Sequence, residues 1–123
     1  MSLLKPTPGE VLDRLSIVRL KIAAYTRAGK DSKALEQEAI DLAEYIGEHG
    51  TPHEFSHLFE GLIQNNKRLW ELEDQVRRVE ITKEELCYAA KGICLLNDDR
   101  NRLIREMDKV FGVKPQEEKI YSK

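Results

Sequence analysis

Apolar residues recur along this chain at alternating spacings of three and four, the period of one helix face, and no run shows the spacing of two that marks a half-buried strand. Val11, Leu15, Val18, Ile22 and Tyr25 form a first stripe, and Leu35, Ala39, Leu42 and Ile46 a second. A third runs through Phe55, Leu58, Leu62, Leu69, Leu72 and Val76, and a fourth through Leu86, Ala90, Ile93, Ile104 and Met107. Three of the four are preceded by the same device: Thr7-Pro8-Gly9-Glu10, Thr51-Pro52-His53-Glu54 and Thr82-Lys83-Glu84-Glu85. Each reads as a capping box, in which the Thr oxygen accepts a backbone N–H three residues on and the Glu reaches back to the N-cap N–H. Pro8 and Pro52 suit the first helical position, where an N–H has no partner to lose. Gly29, Gly47, Gly50 and Gly112 supply the stops. The pattern predicts helices over about 8–28, 32–46, 52–78 and 83–111, followed by a tail over 112–123.

The fold class that follows is all-α: an antiparallel up-down-up-down four-helix bundle with two long C-terminal helices, forming one domain over 1–123. Helices three and four would each span roughly 40 Å, more than helix two can cover. Surplus apolar surface is left for a partner, and a homodimer is the simplest cover. Ile120 and Tyr121 in the polar tail are a pair that can dock back onto the bundle or onto another subunit.

Composition narrows the functional classes. Lys and Arg total 20 against 22 Asp and Glu, a net charge of −2, which argues against nucleic acid as a partner. With 41% hydrophobic and 34% charged residues the chain reads as a folded domain with a solvated surface. No apolar run approaches the length needed to insert in a membrane, and Met1 to Glu10 lacks a secretory pattern, so a cytoplasmic protein is expected. Cys87 and Cys94, seven residues apart on one helix, are too distant to bridge each other and are expected to be reduced, buried, small apolar residues.

The candidate chemistry lies where polar residues break the stripes. Asn65 interrupts helix three, and beside it run Asn66, Trp70, Glu73 and Arg77, while Asn97 and Arg100 fall on the apolar pattern of helix four. An unpartnered buried amide costs about 2 to 7 kcal/mol and a buried charge more, so these groups must meet each other, water or a ligand. One reading makes Asn66, Glu73, Arg77, Asn97 and Arg100 an interhelical network with Trp70 as its wall, fixing register. The other makes the same residues a small-molecule or anion pocket between helices.

The set Pro8-Gly9-Glu10, Leu12-Asp13, Leu15, Ile17 and Leu20-Lys21, then Asn66, Leu69-Trp70, Glu73-Asp74 and Arg77, then Asn97-Asp98 with Arg100, and Glu117-Glu118-Lys119 with Tyr121 resembles a small uncharacterised bacterial helical family, a domain of unknown function. The resemblance runs over most of the chain except Gly29 to Glu54, and implies no activity. It implies a loose association with surface-polysaccharide pathways and makes the polar seam and the tail part of the family's pattern.

Two enzymatic readings compete with a helical interaction or binding module. His53-Glu54-Phe55-Ser56-His57 matches the zinc string HExxH, with Glu60 on the same face, as a metallohydrolase would need. Glu54 is already used by the cap, however, and Glu60 and Ile63 stand where the extended motif needs Gly and His. Surface histidines without a metal are therefore expected. Glu36, Glu38, Asp41 and Glu44, with Glu71, Glu73 and Asp74, resemble the paired carboxylates of a magnesium-dependent nucleotide or sugar-phosphate hydrolase, although acidic solvated helix faces are common. No complete catalytic set appears and no cofactor is implied. The leading expectation is a binding module that self-associates, with a protein partner as a further possibility.

Overall fold

The computed structural model describes residues 5–50 and 52–113, which form four helices and no strand: α1 (Pro8–Arg27), α2 (Lys33–Glu48), α3 (Phe55–Val76) and α4 (Lys83–Val110). α1 and α4 start as their caps dictate. Thr7 Oγ1 accepts from Glu10 N at 3.2 Å while Glu10 Oε1 accepts from Thr7 N at 2.8 Å, and Thr82 and Glu85 repeat the exchange at 3.1 and 2.9 Å. α3 starts at Phe55 instead of Pro52, and Glu54 makes no side-chain cap. Pro52 to Phe55 form a turn closed by Phe55 N on Pro52 O at 3.1 Å, with Phe55 stacked on Phe59 and edge-on to Phe111. Thr51 and the tail pair Ile120 and Tyr121 lie outside the described residues.

The helices alternate in direction around α1, which packs against all three others. α2 runs back along α1, tied by Arg14 to Glu38 at 2.7 Å and by Tyr45 Oη to Pro6 O at 2.7 Å. α3 and α4 form an antiparallel hairpin on the other side. α1 is therefore buried on two faces through its first three turns: Val11, Leu12, Asp13, Leu15, Ser16 and Val18 are all inside. With Leu62 and Met107 fully buried beside Leu12, and Phe59 and Ile46 next to them, the core sits at the end of the bundle where α1 begins. Each such side chain contributes about 1.5 to 3 kcal/mol. Gly9 sets the approach there. Its N–H donates to Asp108 Oδ1 at 2.7 Å, and a Cβ would overlap the Ile104 carbonyl oxygen.

The opposite end is open. α1 stops at Arg27 and α2 lies along α1, so among the described residues the first half of α4 has a neighbouring helix only on its α3 side, where Ala89 is buried and Gly92 faces Leu72. Tyr25, Leu86 and Ala90, expected in the core, are exposed for this reason. Cys87 and Cys94 are exposed free thiols rather than buried ones.

Candidate functional site: a cavity between α1, α3 and α4

Asp13 is the anchor of the polar seam. It leaves the core side of α1 between Leu12 and Leu15, with only 8% of its side chain exposed, and receives three donors. Oδ1 accepts from Asn66 Nδ2 and from Arg100 Nε, each at 2.9 Å, and Oδ2 accepts from Arg100 Nη2. Asn66 Nδ2 also donates to Ser16 Oγ at 2.7 Å, and that hydroxyl donates to the Asp13 carbonyl at 2.6 Å. The bidentate guanidinium–carboxylate fit is the strong form of such a pair. The hydrogen bonds to Asp13 raise the Arg100 pKa above its ordinary value against the opposing effect of burial, and Glu73 adds a smaller electrostatic contribution. Every buried side-chain polar atom among the described residues has a partner.

Above this layer the helices leave a cavity of about 170 Å³. α1 contributes Ile17, Leu20 and Lys21, α3 contributes Asn66, Leu69, Trp70 and Glu73, and α4 contributes Asn97 and Arg100. An apolar cavity of about 150 Å³ holds one benzene-sized molecule, so the space suits a single six-membered ring. Lys21 and Arg100 carry positive charge, Glu73 and the underlying Asp13 negative charge, so the site is close to neutral. Among the described residues, the side chains of Trp70, Glu73 and Asn97 hydrogen-bond to no protein group, although they line the cavity. The platform is locked by hydrogen bonds, whereas these three wall side chains make none to a described residue.

Five of the six seam residues, Asn66, Trp70, Glu73, Asn97 and Arg100, thus come together. Arg77 does not: it caps the end of α3 and pairs with Asp74 at 3.2 Å on the exposed surface. Glu73 is exposed at the rim, so it is not the buried partner of Arg100 that the sequence suggested. Asn65 serves the α3–α4 contact, donating to the Leu96 carbonyl at 2.9 Å. Asp13 and Lys21 belong to the family pattern but, like Ser16, fall outside the seam read from periodicity, because the α1 stripe follows positions 11, 15, 18 and 22. A second apolar set on α1, Leu12, Ile17 and Leu20, was the available signal that this helix is buried on two sides.

The other constellations are dispersed. His53 lies in the turn before α3, and His57 and Glu60 are exposed on it, so the two histidines are not successive turns of one helix. Glu36 bonds to Ser32, Glu38 to Arg14 and Asp41 to Gln37, while Glu71 pairs with Arg68 and Asp74 with Arg77. Among the described residues, no group of three or more His, Cys, Asp or Glu is arranged to hold a metal ion. No described helix is long and apolar enough to cross a membrane.

A family model described as "Protein of unknown function (DUF4254)" matches residues 56–121, just over half of the chain. The chain belongs to that family. The matched stretch includes the α3 and α4 walls of the cavity, whereas Asp13 and Lys21 of α1 lie before it. No curated protein and no solved structure matches the chain. The family's description names no activity.

Proposed function

We propose that this DUF4254 chain is a non-catalytic binding module that holds one small, uncharged, polar ring in the cavity between α1, α3 and α4. The observation that carries this reading is the split between the hydrogen-bonded platform of Asp13, Asn66, Ser16 and Arg100 and the walls of Trp70, Glu73 and Asn97, whose side chains hydrogen-bond to no described residue. An aromatic face beside a carboxylate, an amide and an ammonium can stack on the C–H face of a pyranose and bond its hydroxyls. A sugar occupant also fits the surface-polysaccharide association implied by the family resemblance. Work inside the cytoplasm as a carrier or sensor of a sugar, rather than its chemical conversion, is the role assigned here.

Trp70 is the single tryptophan, so its emission reports the site directly. Titration with a panel of neutral monosaccharides should give a saturable change for at least one member, lost in Trp70→Phe by a parallel NMR titration and weakened in Asn97→Ala. No saturable response from any sugar would refute the reading. Release of phosphate from a nucleotide-sugar panel with magnesium would replace it by hydrolysis.

A further inference from the structure

Both hydrogens of Asn66 Nδ2 are in use, one on Asp13 Oδ1 at 2.9 Å and one on Ser16 Oγ at 2.7 Å. This fixes the orientation of the amide, because an ionised carboxylate accepts and cannot donate. The amide oxygen is left over: Asn66 Oδ1 hydrogen-bonds to no described residue. No side-chain polar atom among the described residues is both sealed from solvent and without a partner, so Oδ1 opens onto space, and the space that Asn66 lines is the cavity. Asn66 as a whole is 5% exposed, which makes this oxygen an acceptor set at the cavity floor. Arg100 leaves the matching donor. Its Nε and Nη2 are spent on Asp13, while Nη1 donates to no described residue, and Arg100 lines the same cavity. The two groups converge there, since Asn66 Nδ2 and Arg100 Nε hold one and the same Asp13 oxygen, each at 2.9 Å.

We propose that the cavity floor is a subsite for one hydroxyl group of the bound ring, which donates to Asn66 Oδ1 and accepts from Arg100 Nη1. The inference rests on the reading of the cavity as the seat of a single ring, and it adds the group by which that ring is recognised. A hydroxyl donates and accepts through one atom, so it satisfies both floor groups at once. A ketone oxygen or a fluorine would suit the guanidinium but set a second acceptor against Asn66 Oδ1. A carboxylate would do the same and face the charge of Asp13 as well. An ammonium would suit the amide and repel Arg100, and a methyl group would leave both unpaired. The floor cannot adapt to these alternatives. Turning the Asn66 amide to offer Nδ2 would break its bonds to Asp13 and Ser16 and aim Oδ1 at a carboxylate, and turning Arg100 would break the bidentate pair. A site built to hydrogen-bond a hydroxyl rejects an analogue lacking it far more strongly than an apolar pocket rejects a missing methylene.

Single six-membered rings that differ in one group test the floor on the unmodified full chain. Cyclohexanol, cyclohexanone, fluorocyclohexane and 2-piperidone, titrated to millimolar concentration, are followed through the NMR signals of the Asn66 side-chain amide and the Trp70 indole N–H. Cyclohexanol should shift both saturably, and cyclohexanone and fluorocyclohexane should bind at least about tenfold more weakly. The cyclohexanol response should vanish in Asn97→Leu, which fills the space above the floor. No saturable response to cyclohexanol, a ketone bound as tightly as the alcohol, or a response that survives Asn97→Leu would each overturn the proposal. Tighter binding of 2-piperidone would overturn it too, in favour of a cis-amide edge whose N–H and C=O are separate atoms. These outcomes are distinct from those of the sugar panel. Silence of every monosaccharide beside a selective cyclohexanol response removes the sugar and keeps the hydroxyl floor, whereas a saturable sugar response without preference for the alcohol removes the floor and keeps the sugar.

Discussion

Replacing Arg100 by alanine removes two of the three donors to the Asp13 carboxylate and leaves Asn66 Nδ2 as its remaining side-chain partner. Asp13 is 8% exposed at its side chain and Arg100 33%, so the carboxylate is inside and the guanidinium has one edge in water. Breaking a fully buried pair costs about 3 to 5 kcal/mol because one charge is left uncompensated. Water entering along the vacated edge recovers part of that, which places Arg100→Ala at about 2 to 4 kcal/mol. Urea unfolding of the wild type, Asp13→Asn, Arg100→Ala and the double variant gives the coupling directly, and it should be at least about 1.5 kcal/mol. Asp13→Leu combined with Arg100→Met should recover much of the loss, since both desolvation costs disappear with the pair. Glu73→Ala, at the exposed rim, should change stability by less than about 0.5 kcal/mol. A Asp13–Arg100 coupling below about 0.5 kcal/mol would refute the claim that this pair organises the seam.

Gly9→Ala should destabilise by about 1 to 3 kcal/mol in urea unfolding, because its Cβ meets the Ile104 carbonyl and Asp108, both set by packing. Gly47→Ala, a helical position with nothing within 4 Å of the added carbon, should instead stabilise by about 0.5 to 1 kcal/mol. The Glu38 carboxyl, held by Arg14, titrates below its ordinary value of 4.5. It therefore contributes stability above that value that is lost as pH falls through its folded pKa, and carboxyl NMR together with acid unfolding of Glu38→Gln checks both points. Asn97→Leu should raise stability by about 0.5 to 1.5 kcal/mol more than the exposed control Asn101→Leu, since it fills unengaged space while both gain the same helix propensity. Destabilisation by Asn97→Leu would mean that the amide is structural.

The helices were legible because their signals are local. Thr7 with Glu10 and Thr82 with Glu85 satisfy backbone donors within one turn, and no distant contact is needed to place them. The start of α3 was not legible, because the pull of Phe55 toward Phe111 is a contact across more than fifty residues of sequence. The same distinction separates the parts of the site. Asn66, Trp70, Glu73, Asn97 and Arg100 stand out because each breaks an apolar pattern on its own helix. The identity of the partner to Arg100 does not follow from periodicity. Glu73 and Asp13 both sit at plausible helical positions, and only the packing of α1 into the α3–α4 hairpin places Asp13 inside and Glu73 at the rim. Exposure of Leu86, Cys87 and Cys94 was hidden for a related reason. A stripe shows which face is apolar, and the length of the neighbouring helix decides how much of it is covered.

The position of the cavity follows from the same geometry. Below Asp13, α1 is wedged between α2 and the α3–α4 hairpin, and Leu12, Leu62 and Met107 close the space completely. At Asp13 the packing changes from apolar to hydrogen-bonded, and the guanidinium reaching across from α4 fixes the separation of α1 and α4 at that level. An apolar pair there could collapse the helices together, whereas a charged pair with three directed hydrogen bonds holds them apart at a set distance. Above it, Ile17, Leu20 and Leu69 are too short to fill the opening, and the remaining lining is Lys21, Trp70, Glu73 and Asn97. Three leucines at 21, 73 and 97 would close this space and add burial at no backbone cost. A sequence that instead keeps an ammonium, a carboxylate and an amide around an aromatic face forgoes that stability, which is the trade the proposed binding role requires.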